Sequence, residues 1–393
     1  MRKTSILFCL VCTVLMFAQR PFIGKWESKE GKITLPARGT FSYTYAKAEL
    51  PITILGSGNS DPNITTVINV SQDGEYIISI SPTGELGFSY GDENKPTQEQ
   101  FKEIQQWGDI TWAKDLTGAF LGCIHLTISA TDLPNFSTVT DMSSMFSGCS
   151  SITNIPNINQ WDVSKVETMT SMFRGAGKFN ADIFNWKVGE VKFMNQMFYE
   201  AIAFNQDISG WAVSSVTRMN QMFYGATAFN QNLAGWAIKD GAQMTDFFTD
   251  SGLSCENYSK ALKGWAENPN TGKNVSFSSA KTYGVGAKDF RNTLTNEKKW
   301  KISGDSYDPS CTPDLSTEDV AHKPAFSVLN PVKDELMIQG LGSIKTIEIY
   351  SANGRWIKTL VGSQREVSSL PRGLYILKIT TEKATYTEKI IKK

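Results

Sequence analysis

A 25-residue period runs through the middle of this 393-residue chain and limits what it can fold into. Tryptophan recurs in one phase at Trp161, Trp186, Trp211 and Trp236. Met-Phe pairs recur in another at Met172-Phe173, Met197-Phe198 and Met222-Phe223, with Phe247-Phe248 following. A third ladder is Phe179-Asn180, Phe204-Asn205 and Phe229-Asn230. Met145-Phe146 and Ala119-Phe120 carry the series upstream with spacings of 27 and 26 residues. A unit this short cannot bury two faces by itself, so the copies must stack and share one interior.

Within one unit, Val216, Met219, Met222, Phe223 and Ala226 fall at helical spacing. Ser214 stands where an N-cap hydroxyl belongs, as do Ser164 and Ser137, and Gly225 stands where a helix ends. Ile183, Ile208 and Leu233 mark a short strand. Each unit therefore reads as strand, turn and helix, and residues 105–303 as a β/α solenoid closed by an atypical terminal cap around Tyr258, Leu262 and Trp265.

The flanks are β-like. Residues 33–35, 41–45, 65–70 and 76–80 are rich in β-branched and aromatic side chains, so residues 19–104 are expected to form a β-sandwich-like domain. Residues 304–325 read as a linker. Residues 326–393 alternate again and suggest a small β-sandwich, locally basic with eleven Lys/Arg against six Asp/Glu.

Arg2 and Lys3 precede an apolar run over residues 6–17 and the small Ala18, the pattern of a signal peptide over residues 1–18. The run is too short to span a bilayer, and no transmembrane segment is expected in the mature chain. Four cysteines remain after its removal, an even number in an exported protein. A Cys255–Cys311 bridge would tie the terminal cap to the linker. Cys123 and Cys149 share the phase of Ala176, Ala201 and Ala226, so they form either a bridge between layers or two buried thiols.

Catalytic raw material is scarce. The chain has two histidines, His125 and His322, neither beside a partner cluster, and no tight C-x-x-C metal motif. No catalytic, cofactor-binding or metal residue is expected, and the chain is read as no enzyme. Lys plus Arg equals Asp plus Glu at 39 each, which gives no bias toward nucleic acid. The tryptophan ladder reads as core rather than as a sugar platform, and Asn180, Asn205 and Asn230 as partners for turn backbone. Tyr199 and Tyr224, one per unit after Met-Phe, are the candidate exposed ligand contacts.

The repeat block resembles the BspA-type leucine-rich-repeat surface proteins of bacteria through Trp107-Gly-Asp-Ile-Thr-Trp112, Val139-Thr-Asp-Met-Ser-Ser-Met-Phe146 and Ala203-Phe-Asn-Gln-Asp-Ile-Ser-Gly-Trp211. That resemblance implies a leucine-rich-repeat-like solenoid, surface display and adhesion. The C-terminal segment is similar to the type A sorting domain of type IX secretion substrates, through Asn330, Pro331 and Asp334, Gly373 and Tyr375, and the basic end at Lys392 and Lys393. It implies contact with the secretion machinery and release or attachment at the outer membrane surface. The N-terminal module is similar to an immunoglobulin-like segment, through Phe22-Ile-Gly-Lys-Trp26 and Gly74-Glu-Tyr-Ile-Ile-Ser79.

The expected fold class is thus mixed α/β and multidomain. The expected function is that of a secreted or cell-surface repeat protein that binds a protein or glycan, adhesin-like. Two alternatives stand beside it: a secreted hydrolase with its site in the N-terminal domain, and a passive surface-layer spacer.

Overall fold

The computed structural model describes residues 19–393 apart from 50, 62–64, 91–94, 316–326, 329–331, 340–342, 352–354 and 382–384. The expected signal peptide, residues 316–325 of the expected linker, His322, Asn330 and Pro331 lie outside the described residues. The chain divides into two compact units, Met1–Asp314 and Leu315–Lys393.

The first unit begins with β1 (Phe22–Glu27), β2 (Lys32–Leu35), β3 (Ala37–Arg38), β4 (Phe41–Lys47), β5 (Ile54–Asn59), β6 (Thr66–Asn69), β7 (Glu75–Pro82) and β8 (Glu85–Phe88). A short helix α1 (Lys95–Gln100) leads into β9 (Phe101–Gln106), and β10 (Thr111–Trp112) and β11 (Thr127–Ile128) follow. Strict alternation explains the sheet, since Phe22 and Trp26 of β1 and Tyr76, Ile78 and Ile80 of β7 point inward on one face. The main sheet has the order β11-β9-β1-β7-β4-β5, so β5 is one edge. At the other edge β11 pairs in parallel with β9, and the sheet passes directly into the repeat block.

The Asp73 carboxylate accepts the backbone N–H of Gly31 at 2.8 Å and of Glu30 at 3.1 Å, and the Ser28 hydroxyl at 3.1 Å. The Gly31 bond is the largest of the effects that hold Asp73 below the usual carboxylate range. A depressed folded value means that the stabilisation is full above the unfolded pKa and is lost as pH falls through the folded one. The melting temperature is therefore expected to fall on acidification below about pH 4, with a shallower acid limb for Asp73→Asn in a pH series of thermal melts.

In the repeat block the expected fold is overturned. Over the described chain strand predominates over helix, the strands fall into several small sheets, and the units do not close into a leucine-rich-repeat-like β/α solenoid. The segment expected to be helical is a string of turns. Met197, Tyr199 and Ala201 donate back three residues to Met194, Gln196 and Phe198. The alternate amides of Met194, Gln196, Phe198 and Glu200 instead cross to the carbonyls of Arg218, Asn220, Met222 and Tyr224, at 2.7–2.9 Å.

A helix would keep every one of these bonds inside its own segment. It is also broken by left-handed backbone at Ser171, Gln196 and Gln221, with φ of 55–56°, and again at Gly175, Glu200 and Gly225. The expected cap at Ser164 is absent; its amide donates to Asp162 Oδ1 at 3.1 Å in a local turn. Nor do Ile183, Ile208 and Leu233 form strands. Their carbonyls accept the amides of Trp186, Trp211 and Trp236 in turns. Pairing between units occurs instead as single parallel bridges along Asp115, Asp141, Thr168, Phe193, Arg218 and Gln243.

The stack ends in β12 (Gln243–Met244), α2 (Cys255–Glu267), β13 (Ser276–Ser278), β14 (Thr282–Tyr283), α3 (Ala287–Asn296), β15 (Lys301–Ser303) and β16 (Ser306–Tyr307). Ser254 caps α2 by accepting the Asn257 amide at 3.2 Å, and Tyr258, Ala261, Leu262 and Trp265 bury one face of the helix. The Trp265 ring stacks beyond Phe248 at 6.5 Å and so continues the aromatic interior into the cap. A Cys255–Cys311 disulfide joins the start of α2 to the chain beyond β16.

The second unit contains β17 (Ser327–Val328), β18 (Ile338–Gln339), β19 (Ile344–Ser351), β20 (Trp356–Val361), β21 (Gly373–Thr381) and β22 (Thr385–Lys392). Its four-stranded antiparallel sheet runs β20-β19-β21-β22. Ile347, Ile349, Tyr375, Leu377, Ile379 and Ile390 bury one face against Val332, Leu336, Val367 and Leu370.

Candidate ligand-binding surfaces

The ladders found in the sequence become columns of neighbouring side chains. Trp161 and Trp186 stack at 6.4 Å, and Trp186 and Trp211 at 6.3 Å with ring planes 5° apart. All four ladder tryptophans are buried. The indole N–H groups of Trp186, Trp211 and Trp236 donate to the carbonyls of Ile158, Ile183 and Ile208. Trp161 has no such acceptor among the described residues. Buried rings offer no platform to a ligand.

The asparagine column is equally occupied. Asn180 Oδ1 accepts the Asn205 amide and Gln206 Nε2, both at 2.9 Å. Asn205 repeats this with Asn230 and Gln231, and Asn230 with Ser254 and Asn257, where α2 ends the series. These side chains satisfy backbone donors that cross between units.

Tyr199 and Tyr224 lie in a column that does reach the surface. Their half-buried rings stack at 4.9 Å and 6°. The Arg174 guanidinium sits 4.7 Å from the Tyr199 centroid on the preceding unit. Asp250 follows at the other end; its charge, and then its hydrogen bond, raise the Tyr224 hydroxyl above its ordinary pKa. Beside this column the Arg218 guanidinium lies 5.7 Å from the Phe193 ring. Reading the sequence for motifs misses Arg174 and Arg218. The one signal that points to them is phase, since Arg174 stands one period before Tyr199.

Cys123 and Cys149 are free, fully buried thiols, and Cys149 Sγ donates to the Phe120 carbonyl at 3.0 Å. Burial pushes both thiols well up, which keeps them protonated. His125 is exposed. Among the described residues no three His, Cys, Asp or Glu side chains converge on a common point.

In the second unit Tyr375 packs in the core and its hydroxyl donates to the Pro371 carbonyl at 2.8 Å. Gly373 opens β21 opposite Lys392 of β22. Lys392 is buried, with Nζ 2.9 Å from the Lys393 carbonyl and 3.9 Å from the exposed Asp334 carboxylate. The basic end and Asp334 are thereby drawn to one corner of the sheet, beside the β-bridge of Val332 to Lys392.

Two family models match the chain. Residues 330–393 match the secretion system C-terminal sorting domain. The chain is a secreted or cell-surface protein. Its sorting domain supports export by type IX secretion and implies contact with that machinery. Residues 114–212, 140–265 and 191–285, in overlapping stretches, match the model described as "Mycoplasma protein of unknown function, DUF285". That description names no leucine-rich repeat. No α-helix is described between residues 114 and 254, where the BspA-type resemblance implies one in each unit. No curated protein matches the chain. Among the described residues no helix is long and apolar enough to cross a membrane.

Proposed function

We propose that this surface protein acts by recognition rather than catalysis, and that its repeat stack binds a protein partner through the column Arg174, Tyr199, Tyr224 and Asp250. The stacking of Tyr199 between Arg174 and Tyr224 carries this reading. Both faces of Tyr199 are covered, so that ring offers a sugar no face to stack on. What remains available is ring edges, hydroxyls and a guanidinium, the groups enriched at the energetic centres of protein interfaces. The column is held by backbone bonds between units, so little ordering entropy is lost on contact.

The test compares the full chain with Tyr199→Ala/Tyr224→Ala as immobilised bait for a cell-surface protein extract. Both side chains are half-buried, so a thermal melt of the variant accompanies the comparison. The expected result is a partner held by the wild type and weakened by at least about 2 kcal/mol in the variant. Equal capture by both, or none by the wild type, rejects the reading.

A further inference from the structure

The N-terminal sheet carries a different kind of surface. On its inner face, Tyr43 and Tyr45 of β4 stand directly opposite Gly58 and Gly56 of the edge strand β5. A Cβ built on Gly56 would lie 2.6–2.7 Å from Cε1, Oη and Cζ of Tyr45. One on Gly58 would lie 2.5–3.0 Å from the same atoms of Tyr43. Both rings therefore reach across to β5, each with its Cε1, Cζ and Oη atoms over a glycine, a posture that any larger residue at 56 or 58 would forbid. Being two residues apart on one strand, they repeat at about 6.8 Å along the sheet.

We propose that this pair is a glycan-binding platform, for a neutral pyranose-based polysaccharide lying along β4. Several observations favour that occupant. The rings are half-buried. β5 contains no charged residue, and Ile52, Ile54 and Leu55 beside the platform are 54%, 66% and 53% exposed. A flat apolar ring with a hydroxyl at its rim suits the C–H face and equatorial hydroxyls of a sugar, because the ring face carries partial negative charge. This surface differs from the repeat column: its tyrosines lie against glycine and meet Phe41 and Tyr76 only in tilted contacts at 6.5 and 6.4 Å, not stacked between an arginine and another ring.

The competing occupant is an extended strand, from a second copy or another protein, added to the edge of β5 that no described strand covers. It would use the strand backbone and not the tyrosine rings, which separates the two experimentally. The full chain is run in native gels containing hydroxyethyl cellulose, xylan, galactomannan or laminarin. The expected result is retardation in at least one gel. It should weaken at least about tenfold in Tyr43→Ala/Tyr45→Ala, stay within about threefold for Tyr43→Phe/Tyr45→Phe, and be unchanged in Tyr199→Ala/Tyr224→Ala.

Saturation-transfer NMR of the wild type with the corresponding hexaose gives a readout that does not depend on how the variants fold. The C–H protons of one sugar face should receive the larger transfer. Absence of retardation in every gel, retardation indifferent to Tyr43 and Tyr45, or uniform transfer around the sugar overturns the proposal. A concentration-dependent dimer abolished by Ser57→Pro, in a protein that no gel retards, assigns the edge to strand pairing instead.

Discussion

Trp211→Ala is expected to destabilise the first unit by about 3–5 kcal/mol, the largest loss from any single substitution in the stack. The side chain is buried, stacks on Trp186 at 6.3 Å and lies 6.3 Å from Phe198. Its indole N–H donates to the Ile183 carbonyl at 3.2 Å. Truncation removes the transfer free energy of a large aromatic and leaves a cavity that rigid layers above and below cannot collapse into. It also leaves the Ile183 carbonyl without that donor. Trp211→Phe restores much of the volume but not the hydrogen bond, and should lose less than half as much. Urea denaturation followed by circular dichroism measures both. A loss below about 1 kcal/mol for the alanine variant would show that the column is not a shared interior.

Removal of the Cys255–Cys311 disulfide is expected to be the next largest effect. The bridge closes a segment with a sequence separation of 56 residues. On chain-entropy grounds a loop of that size constrains the unfolded state by about 4 kcal/mol. The loss should appear in Cys255→Ala/Cys311→Ala, and equally when the wild type is reduced. Reductant should leave the double variant unchanged, because Cys123 and Cys149 are already free. Urea titrations with and without dithiothreitol distinguish these outcomes. Because the bond pins the first turn of α2, the cap should open first and expose Trp265, which gives a separate fluorescence signal.

Much of the candidate surface is legible in the order of amino acids, and the missing parts share one cause. Period alone places Tyr199 beside Tyr224 and brings the asparagines into a column. It does not say which columns face outward together, and so Arg174, Arg218 and Phe193 escape it. Tyr43 and Tyr45 alternate visibly in β4, and Gly56 and Gly58 alternate in β5. Their significance depends on register, Tyr43 opposite Gly58 and Tyr45 opposite Gly56, which shifts after Tyr45. A slip of one residue would turn the glycines to the other face.

Sequence by itself determined that copies 25 residues apart would become neighbours, because Trp, Met, Phe and Asn each recur in a constant phase and only stacking buries them all. It also determined the exported tail, through local motifs in residues 330–393. Only the tertiary structure decided the backbone within each unit. Val216, Met219, Met222, Phe223 and Ala226 satisfy a helical pattern and a series of turns equally well, since both bring residues three and four apart to one side. The turns prevail because the alternate amides of one unit find carbonyls in the next. Those bonds, absent from any isolated segment, offset a left-handed backbone cost of roughly 1–2 kcal/mol at each of Ser171, Gln196 and Gln221.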